Sequence, residues 1–153
     1  MDTKSLLESL LQEENELQFQ QFTNEMALQI GLWIIEKCKE SNKSATIDIC
    51  RNGQQLFHYA FPGTSADNDV WVKRKARIAD RFGHSSYYIE TELKLIGRTL
   101  QERYCVDPSE YAPYNGSFPI FIRGVGPVGS ISVSGLPGDE DHQIVTAAIR
   151  HFL

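Results

Sequence analysis

Apolar and polar positions along the chain repeat with two periods, and these periods predict the order of its secondary structure. Apolar residues three to four apart lie on one face of a helix, whereas strict alternation is typical of a strand. Helices are predicted on this basis over residues 3–14, 23–41, 67–83 and 86–104, and from Asp139 onward. Strands are predicted over residues 46–50 and 55–61, in a brief extended piece around residues 17–19, and twice within residues 116–134.

Two turn signals join these strands into hairpins. Asn52-Gly53 lies between the first pair, and this dipeptide favours a type I′ turn, which needs positive φ at both positions. Gly124–Pro127 lies between the last pair, where glycine and proline supply the backbone angles of a turn. The pattern therefore predicts an α+β fold in which helices flank a mainly antiparallel sheet of about five strands.

One glycine pattern suggests a nucleotide site that its context contradicts. Gly124, Gly126 and Gly129 form the spacing G-x-G-x-x-G. In dinucleotide-binding proteins this loop leads from a strand into a helix, whose N-terminus holds the pyrophosphate. Here the last glycine opens a second alternating strand, so a nucleotide site is not expected.

Length, charge and cysteine content limit the class of protein. A chain of 153 residues is expected to form a single domain, residues 1–153. A formal net charge of −5 opposes binding to a nucleic-acid backbone. The three cysteines are far apart, which favours free thiols in the cytoplasm over a disulfide framework or a zinc site. No segment approaches the ~20 apolar residues of a transmembrane helix, so no membrane partner is expected.

Lys75 and Arg74 are the cations most suggestive of a ligand site. Lys75 projects from an otherwise apolar helix face, where it could bind a carboxylate or phosphate. It could equally pack its stem on Trp71 and pair its ammonium with an acid. Arg74 begins a stripe of arginines along the same helix, which could receive a small anion or pair with acids of the same or a neighbouring subunit.

Three histidines, and the residues next to two of them, complete the set of candidate site residues. His84 could ligate iron or relay a proton, and it could also cap the helix junction together with Ser85. His58 lies on a predicted strand, where its side chain could face a pocket or the solvent. Asp141 and His142 lie at the start of the last predicted helix, where they could be site residues or helix caps. No Ser-His-Asp set, catalytic carboxylate pair or metal cluster is evident, so no reaction is indicated and no metal site is expected.

Several of these segments occur together in one known family. The chain resembles GlcG/HbpS-like proteins, also called the haem-degrading domain family, and within them an uncharacterised cytosolic branch. The segments that carry the resemblance are Pro62-Gly63, Lys75–Ala79, Gly116–Ile120, Val133–Gly135 and Asp141-His142; those of the branch are Asp67–Lys75 and Phe82–Ser86.

This resemblance implies a fold, an assembly and a ligand. The fold would be profilin-like, with a five-stranded antiparallel sheet flanked by helices, and the assembly a ring-like homo-oligomer. Haem or a related tetrapyrrole would be the ligand, or another small anionic molecule. The alternative is a non-enzymatic assembly or adaptor protein that acts through protein contacts. The ligand-binding residues predicted on these grounds are His58, Arg74, Lys75, His84, Ser85, Asp141 and His142.

Overall fold

The computed structural model describes residues 1–153 and contains six helices and five strands. The helices are α1 Thr3–Glu16, α2 Asn24–Glu40, α3 Ala66–Phe82, α4 Ser86–Ile96, α5 Leu100–Tyr104 and α6 Glu140–Phe152. The strands are β1 Gln18–Phe19, β2 Thr46–Arg51, β3 Gln54–Ala60, β4 Ser117–Ile122 and β5 Gly126–Ser134. The predicted α+β class is confirmed.

The strands form one sheet in the order β1-β4-β5-β2-β3. Both predicted hairpins are present, and Asn52 and Gly53 have φ values of 51° and 78°, the positive values that a type I′ turn requires. The two-residue strand β1 runs parallel to β4, so the sheet is mixed rather than purely antiparallel. The chain between β1 and β4 contains α2, the β2–β3 hairpin and α3 to α5. A connection of this length allows the two strands to pair in parallel.

The two faces of the sheet differ in polarity. On one face Ile47, Ile49, Ile131 and Val133 belong to the main apolar cluster, against which α2 and α6 pack. On the other face, against which α3 packs, the alternating positions are polar and buried, including Asp48, Ser130, Ser132 and Ser134. The alternation of a strand thus places an apolar core on one side and a polar layer under α3 on the other.

A second, smaller apolar cluster joins α3 to the following helices. It consists of Ile78, Ile89, Leu93, Leu100 and Val106. The prediction of one helix over residues 86–104 was wrong, because α4 ends at Gly97 in the left-handed conformation and Thr99 begins α5 with a capping box. Ile96, the last residue of α4, is exposed as a result. No helix combines the length and the apolar character needed to cross a bilayer.

Candidate functional site

Lys75 and Asp141 form a buried ion pair between α3 and α6. Lys75 Nζ lies 3.1 Å from Asp141 Oδ2 and donates to the carbonyl oxygen of Val133 at 3.3 Å. Both side chains are less than 10% exposed, and Asp141 also accepts a bond from the backbone N–H of Leu136. Burial raises the pKa of Asp141, and Lys75 partly offsets that shift. The ammonium of Lys75 is therefore occupied by its own chain, as the structural alternative from the sequence anticipated.

His84 and Ser85 meet a carboxylate of α1. His84 Nδ1 lies 2.7 Å from Glu14 Oε1, and the backbone N–H of Ser85 donates to Glu14 Oε2 at 3.1 Å. Ser85 is also the N-cap of α4, accepting from the backbone N–H of Tyr88. The hydrogen bond to Glu14 raises the pKa of His84, and partial burial opposes that shift. One ring nitrogen of His84 is thus occupied, and the ring stacks on Tyr88.

His142 and His58 are also held by carboxylates. His142 is buried, and its Nε2 lies 2.6 Å from Glu13 Oε1. His58 lies between two acids, with Nδ1 3.0 Å from Asp48 and Nε2 2.9 Å from Asp69. Nδ1 of His58 is hydrogen-bonded to Asp48, whereas the approach of Nε2 to Asp69 lacks hydrogen-bond geometry and leaves Asp69 Oδ1 buried without a hydrogen-bond partner.

Arg74 supports the loop that follows α5. Its Nη2 donates to the carbonyl oxygen of Pro108 at 2.7 Å, and its guanidinium lies over the Trp71 ring at 4.6 Å. Its Nε is buried without a hydrogen-bond partner. The other arginines of the predicted stripe, Arg77 and Arg81, bind Glu110 and Tyr111 of the same loop.

The structure therefore does not gather the seven predicted residues at one site. Lys75 and Asp141 form one group, and His84, Ser85 and His142 line the surface under α1. His58 and Arg74 lie apart from both groups. No set of three or more His, Cys, Asp or Glu side chains is arranged to hold a metal ion.

The largest cleft, about 640 Å³, lies between α4, α5 and the loop 105–115; we call it the loop cleft. Leu93 and Leu100 form apolar parts of its wall and Arg74 and Arg98 supply cations. The other lining residues are Glu90, Lys94, Gly97, Thr99, Gln101, Glu102, Pro108, Tyr111, Pro113 and Tyr114. Of the seven predicted residues only Arg74 lines it.

Charges in the loop cleft leave both of its arginines without an acidic partner. Glu90 pairs with Lys94 at 3.2 Å and accepts the backbone N–H of Asn115, and Glu102 caps α5. Neither Arg74 nor Arg98 makes an ion pair. Sequence reasoning missed Arg98 and the tyrosines of the loop, although the Gly97 break and the two prolines of the loop were visible signals of a concave turn.

A second cleft, about 590 Å³, lies where α3 meets the start of β5. It is polar, and its residues include Asp48, Cys50, Lys73 and Asp80. Burial first, and Asp48 second, raise the pKa of the Cys50 thiol to about 12. A thiol with that pKa is a poor nucleophile, so this cleft carries no activated cysteine.

Comparison with known proteins gives consistent matches along the chain. The model of the family described as haem degrading protein HbpS-like matches residues 22–150. A UPF0303 protein of Streptomyces coelicolor is 42% identical over 151 residues, which cover 99% of this chain and 96% of that protein.

Solved structures match as well. The crystal structure of the Ybr137w protein has a TM-score of 0.90 at 34% identity, covering 98% of this chain and 89% of its own. The crystal structure of a PduOC:heme complex has a TM-score of 0.72 at 15% identity, covering 84% and 93% respectively. This last match shows a shared fold.

Proposed function

The chain belongs to the haem-degrading HbpS-like family, which confirms the resemblance drawn from its sequence, and from that premise we propose that it binds haem or a related tetrapyrrole in the loop cleft. The observation that carries the proposal is the pair Arg74 and Arg98, two cations at the wall of a partly apolar cleft that make no ion pair within the chain. A ligand carboxylate would supply the missing counter-charge. Free cysteines favour the cytoplasm as the place of action.

The residues of the loop cleft fit the chemistry of this ligand. A volume of about 640 Å³ lies within the range of ~300–1,000 Å³ usual for ligand pockets. Leucine and proline side chains suit the faces of a macrocycle, and Arg74 and Arg98 suit its carboxylates, because guanidinium binds carboxylate in a bidentate manner. Tyr114 would ligate the iron, since tyrosine is a known haem ligand. Bound haem would supply redox and oxygen chemistry.

Absorbance titration with haemin tests this proposal, with protoporphyrin IX fluorescence as a metal-free comparison. We expect Arg98→Ala to weaken binding of both ligands roughly tenfold or more, since a charge-assisted hydrogen bond contributes about 1.5–3 kcal/mol. Tyr114→Phe should change the haemin spectrum and leave the protoporphyrin affinity unchanged. Lys73→Ala, on an exposed position outside the cleft, is the matched control. Equal binding by the parent, Arg98→Ala, Tyr114→Phe and Lys73→Ala would reject the loop cleft as the site. Loss of the haemin signal only in a further variant, His84→Ala, would place the iron at His84 instead.

A second candidate function, assembly through protein contacts, rests on the open edge of the sheet. β3 ends the sheet and carries no lysine or proline, residues that commonly protect such edges. On α2, which packs against β3 through Gly31 and Phe57, Leu28 and Leu32 are exposed. The proposal is a homo-oligomer in which this edge is covered by another copy. Light scattering should give a mass well above 17.4 kDa and a lower mass for Leu32→Asp; a monomeric parent would reject it.

A further inference from the structure

The cleft between α3 and the start of β5 shares no residue with the loop cleft. Asn52 and Gly53, from the turn of the first hairpin, form another part of its wall. We call it the polar cleft. Its lining contains charged side chains of both signs, and two of them, Lys73 and Asp80, are residues of α3.

Asp80 lines the polar cleft without a partner of opposite charge. Its carboxylate forms no ion pair, and Arg77, one turn earlier on the same helix, binds Glu110 instead. Burial raises the pKa of Asp80, Ser130 opposes that shift, and the charge of Asp48 adds to it. The ionised carboxylate therefore lacks a cation that would stabilise it.

A buried hydroxyl beside Asp80 also lacks a partner. Ser130 is 1% exposed, and its Oγ is buried without a hydrogen-bond partner. Ser130 lies directly opposite Cys50 in the ladder of β2 and β5, so both side chains lie on the same face of the sheet, and Cys50 lines the polar cleft. The effect of Ser130 on the pKa of Asp80 places the hydroxyl near that carboxylate. An unpartnered buried hydroxyl is costly, so the two groups together suit a donor from outside the chain.

Lys73 is an unpaired cation in the same cleft. It is exposed, lines the cleft and makes no ion pair. Because Asp80 follows seven residues later, about two helical turns, their Cα atoms are separated by roughly 10 Å along the axis of α3. Opposite charges on a helix pair when they are three or four residues apart. The spacing of Lys73 and Asp80 is too long for such a pair.

These unpaired groups define the chemistry of a ligand. We propose that the polar cleft binds a small amino-carboxylate whose two charges are separated by a short aliphatic chain, with its ammonium at Asp80 and Ser130 and its carboxylate at Lys73. An ammonium has three hydrogen-bond donors, and these two residues would accept two of them. Ala76 and Val128 of the lining would contact the aliphatic chain. The lining does not suit a metal ion, since no three His, Cys, Asp or Glu side chains are arranged to hold one.

NMR titration of the full-length chain with ε-aminocaproate tests the proposal through the backbone amide shifts. The shifts should saturate and should be largest at residues that line the polar cleft, such as Gly53 and Gly129. Hexylamine and caproate each carry only one of the two charges and should bind more weakly. Glycine should also bind more weakly, because its adjacent charges cannot reach both ends of the cleft.

Two variants separate the two ends of the ligand. Asp80→Asn should weaken binding of both ε-aminocaproate and hexylamine roughly tenfold, because a charge-assisted hydrogen bond is lost. Lys73→Ala should reduce the affinity for ε-aminocaproate to that for hexylamine, and should leave hexylamine binding unchanged. Asp67→Asn removes an exposed acid of the same helix outside the cleft. It is the matched control and should bind as the parent does.

Ser130→Ala tests the buried hydroxyl. It should weaken binding of ε-aminocaproate and hexylamine without lowering the melting temperature, because the hydroxyl that it removes has no partner. Absence of saturable shifts in the polar cleft, or unchanged binding in Asp80→Asn, would overturn the proposal. Hexylamine binding as tight as that of ε-aminocaproate would assign the cleft to simple amines and overturn the role of Lys73. The haemin titration reports on the loop cleft, so the two proposals can fail separately.

Discussion

Lys75 of α3 and Asp141 of α6 approach within 3.1 Å beside the end of β5, and both side chains are less than 10% exposed. Each is attached to other elements as well, Lys75 to the carbonyl oxygen of Val133 and Asp141 to the backbone N–H of Leu136. The pair therefore ties the middle of α3 to the end of β5, to the corner that follows it and to the start of α6.

Removing one member of this pair should strongly lower the free energy of unfolding. Asp141→Ala leaves the ammonium of Lys75 buried without a counter-charge, and such losses cost about 3–5 kcal/mol. Asp141→Asn keeps an acceptor and should cost less. Urea denaturation measures both free energies of unfolding, with exposed Lys73→Ala as the control. A stability of Asp141→Ala equal to that of the control would show that the pair is not required for the fold.

Three glycines near this pair should respond differently to an added side chain. At Gly116, φ is +132°, and a Cβ would overlap the carbonyl oxygen of Val133 and press on Lys75 Nζ. At Gly135, φ is +121° and a Cβ would lie 3.3 Å from the carbonyl oxygen of Ser44, whereas at Gly138 nothing lies within 4 Å. Strained backbone costs about 1–3 kcal/mol.

The expected order of destabilisation follows from those contacts. Gly116→Ala should lower the free energy of unfolding most. Gly135→Val should lower it by a smaller but measurable amount, and Gly138→Ala should lower it least. Thermal unfolding monitored by circular dichroism gives the order. A melting temperature for Gly135→Val equal to that of the parent would contradict the strain expected at this position.

The contact between α1 and His84 should depend on pH. The pKa of His84 is raised above 6.5 by its hydrogen bond with Glu14, with smaller contributions from the charges of Glu14 and Glu92. Tyr88, stacked on the ring, is the other titratable group that faces it. A raised histidine pKa stabilises the folded state fully below pH 6.5, and that stabilisation is lost as the pH rises through the folded-state value.

Hydrogen exchange can follow this dependence directly. Protection of α1 amides, corrected for intrinsic exchange, should be greatest near pH 6 and should fall toward pH 9. His84→Gln keeps a hydrogen-bond donor for Glu14 without the titration and should flatten the profile. An unchanged slope in that variant would assign the pH dependence to another group.

The three thiols should differ strongly in reactivity. Cys105 is exposed, Cys38 is buried and Cys50 is partly buried. Burial raises the pKa of Cys38, and burial together with Asp48 raises that of Cys50 to about 12. Because the thiolate is the reactive form, a disulfide reagent at pH 8 should modify Cys105 rapidly and Cys38 and Cys50 slowly. Cys105→Ser should abolish the fast phase, and a persistent fast phase would indicate local opening at another cysteine.

Much of the fold was determined by the sequence alone, because the signals for helices, strands and tight turns are local. The apolar period of α2 and the alternation of β2, β4 and β5 each depend on neighbours within a few residues. So does the Asn52-Gly53 turn, which needs only the conformational freedom of two adjacent residues. The family was also recognisable at this level, since its motifs are short segments in a set order.

Partners distant along the chain were decided only by the tertiary structure. The position of Lys75 on an apolar face indicated that its ammonium needed an acceptor, but Asp141 lies 66 residues further on, and no local pattern selects it among 20 acidic residues. No local pattern distinguishes Glu13 and Glu14 from the other acids of α1, and only the fold placed His142 and His84 beside them. Periodicity states which side of an element is buried, whereas the identity of the group it meets depends on how all the elements pack together.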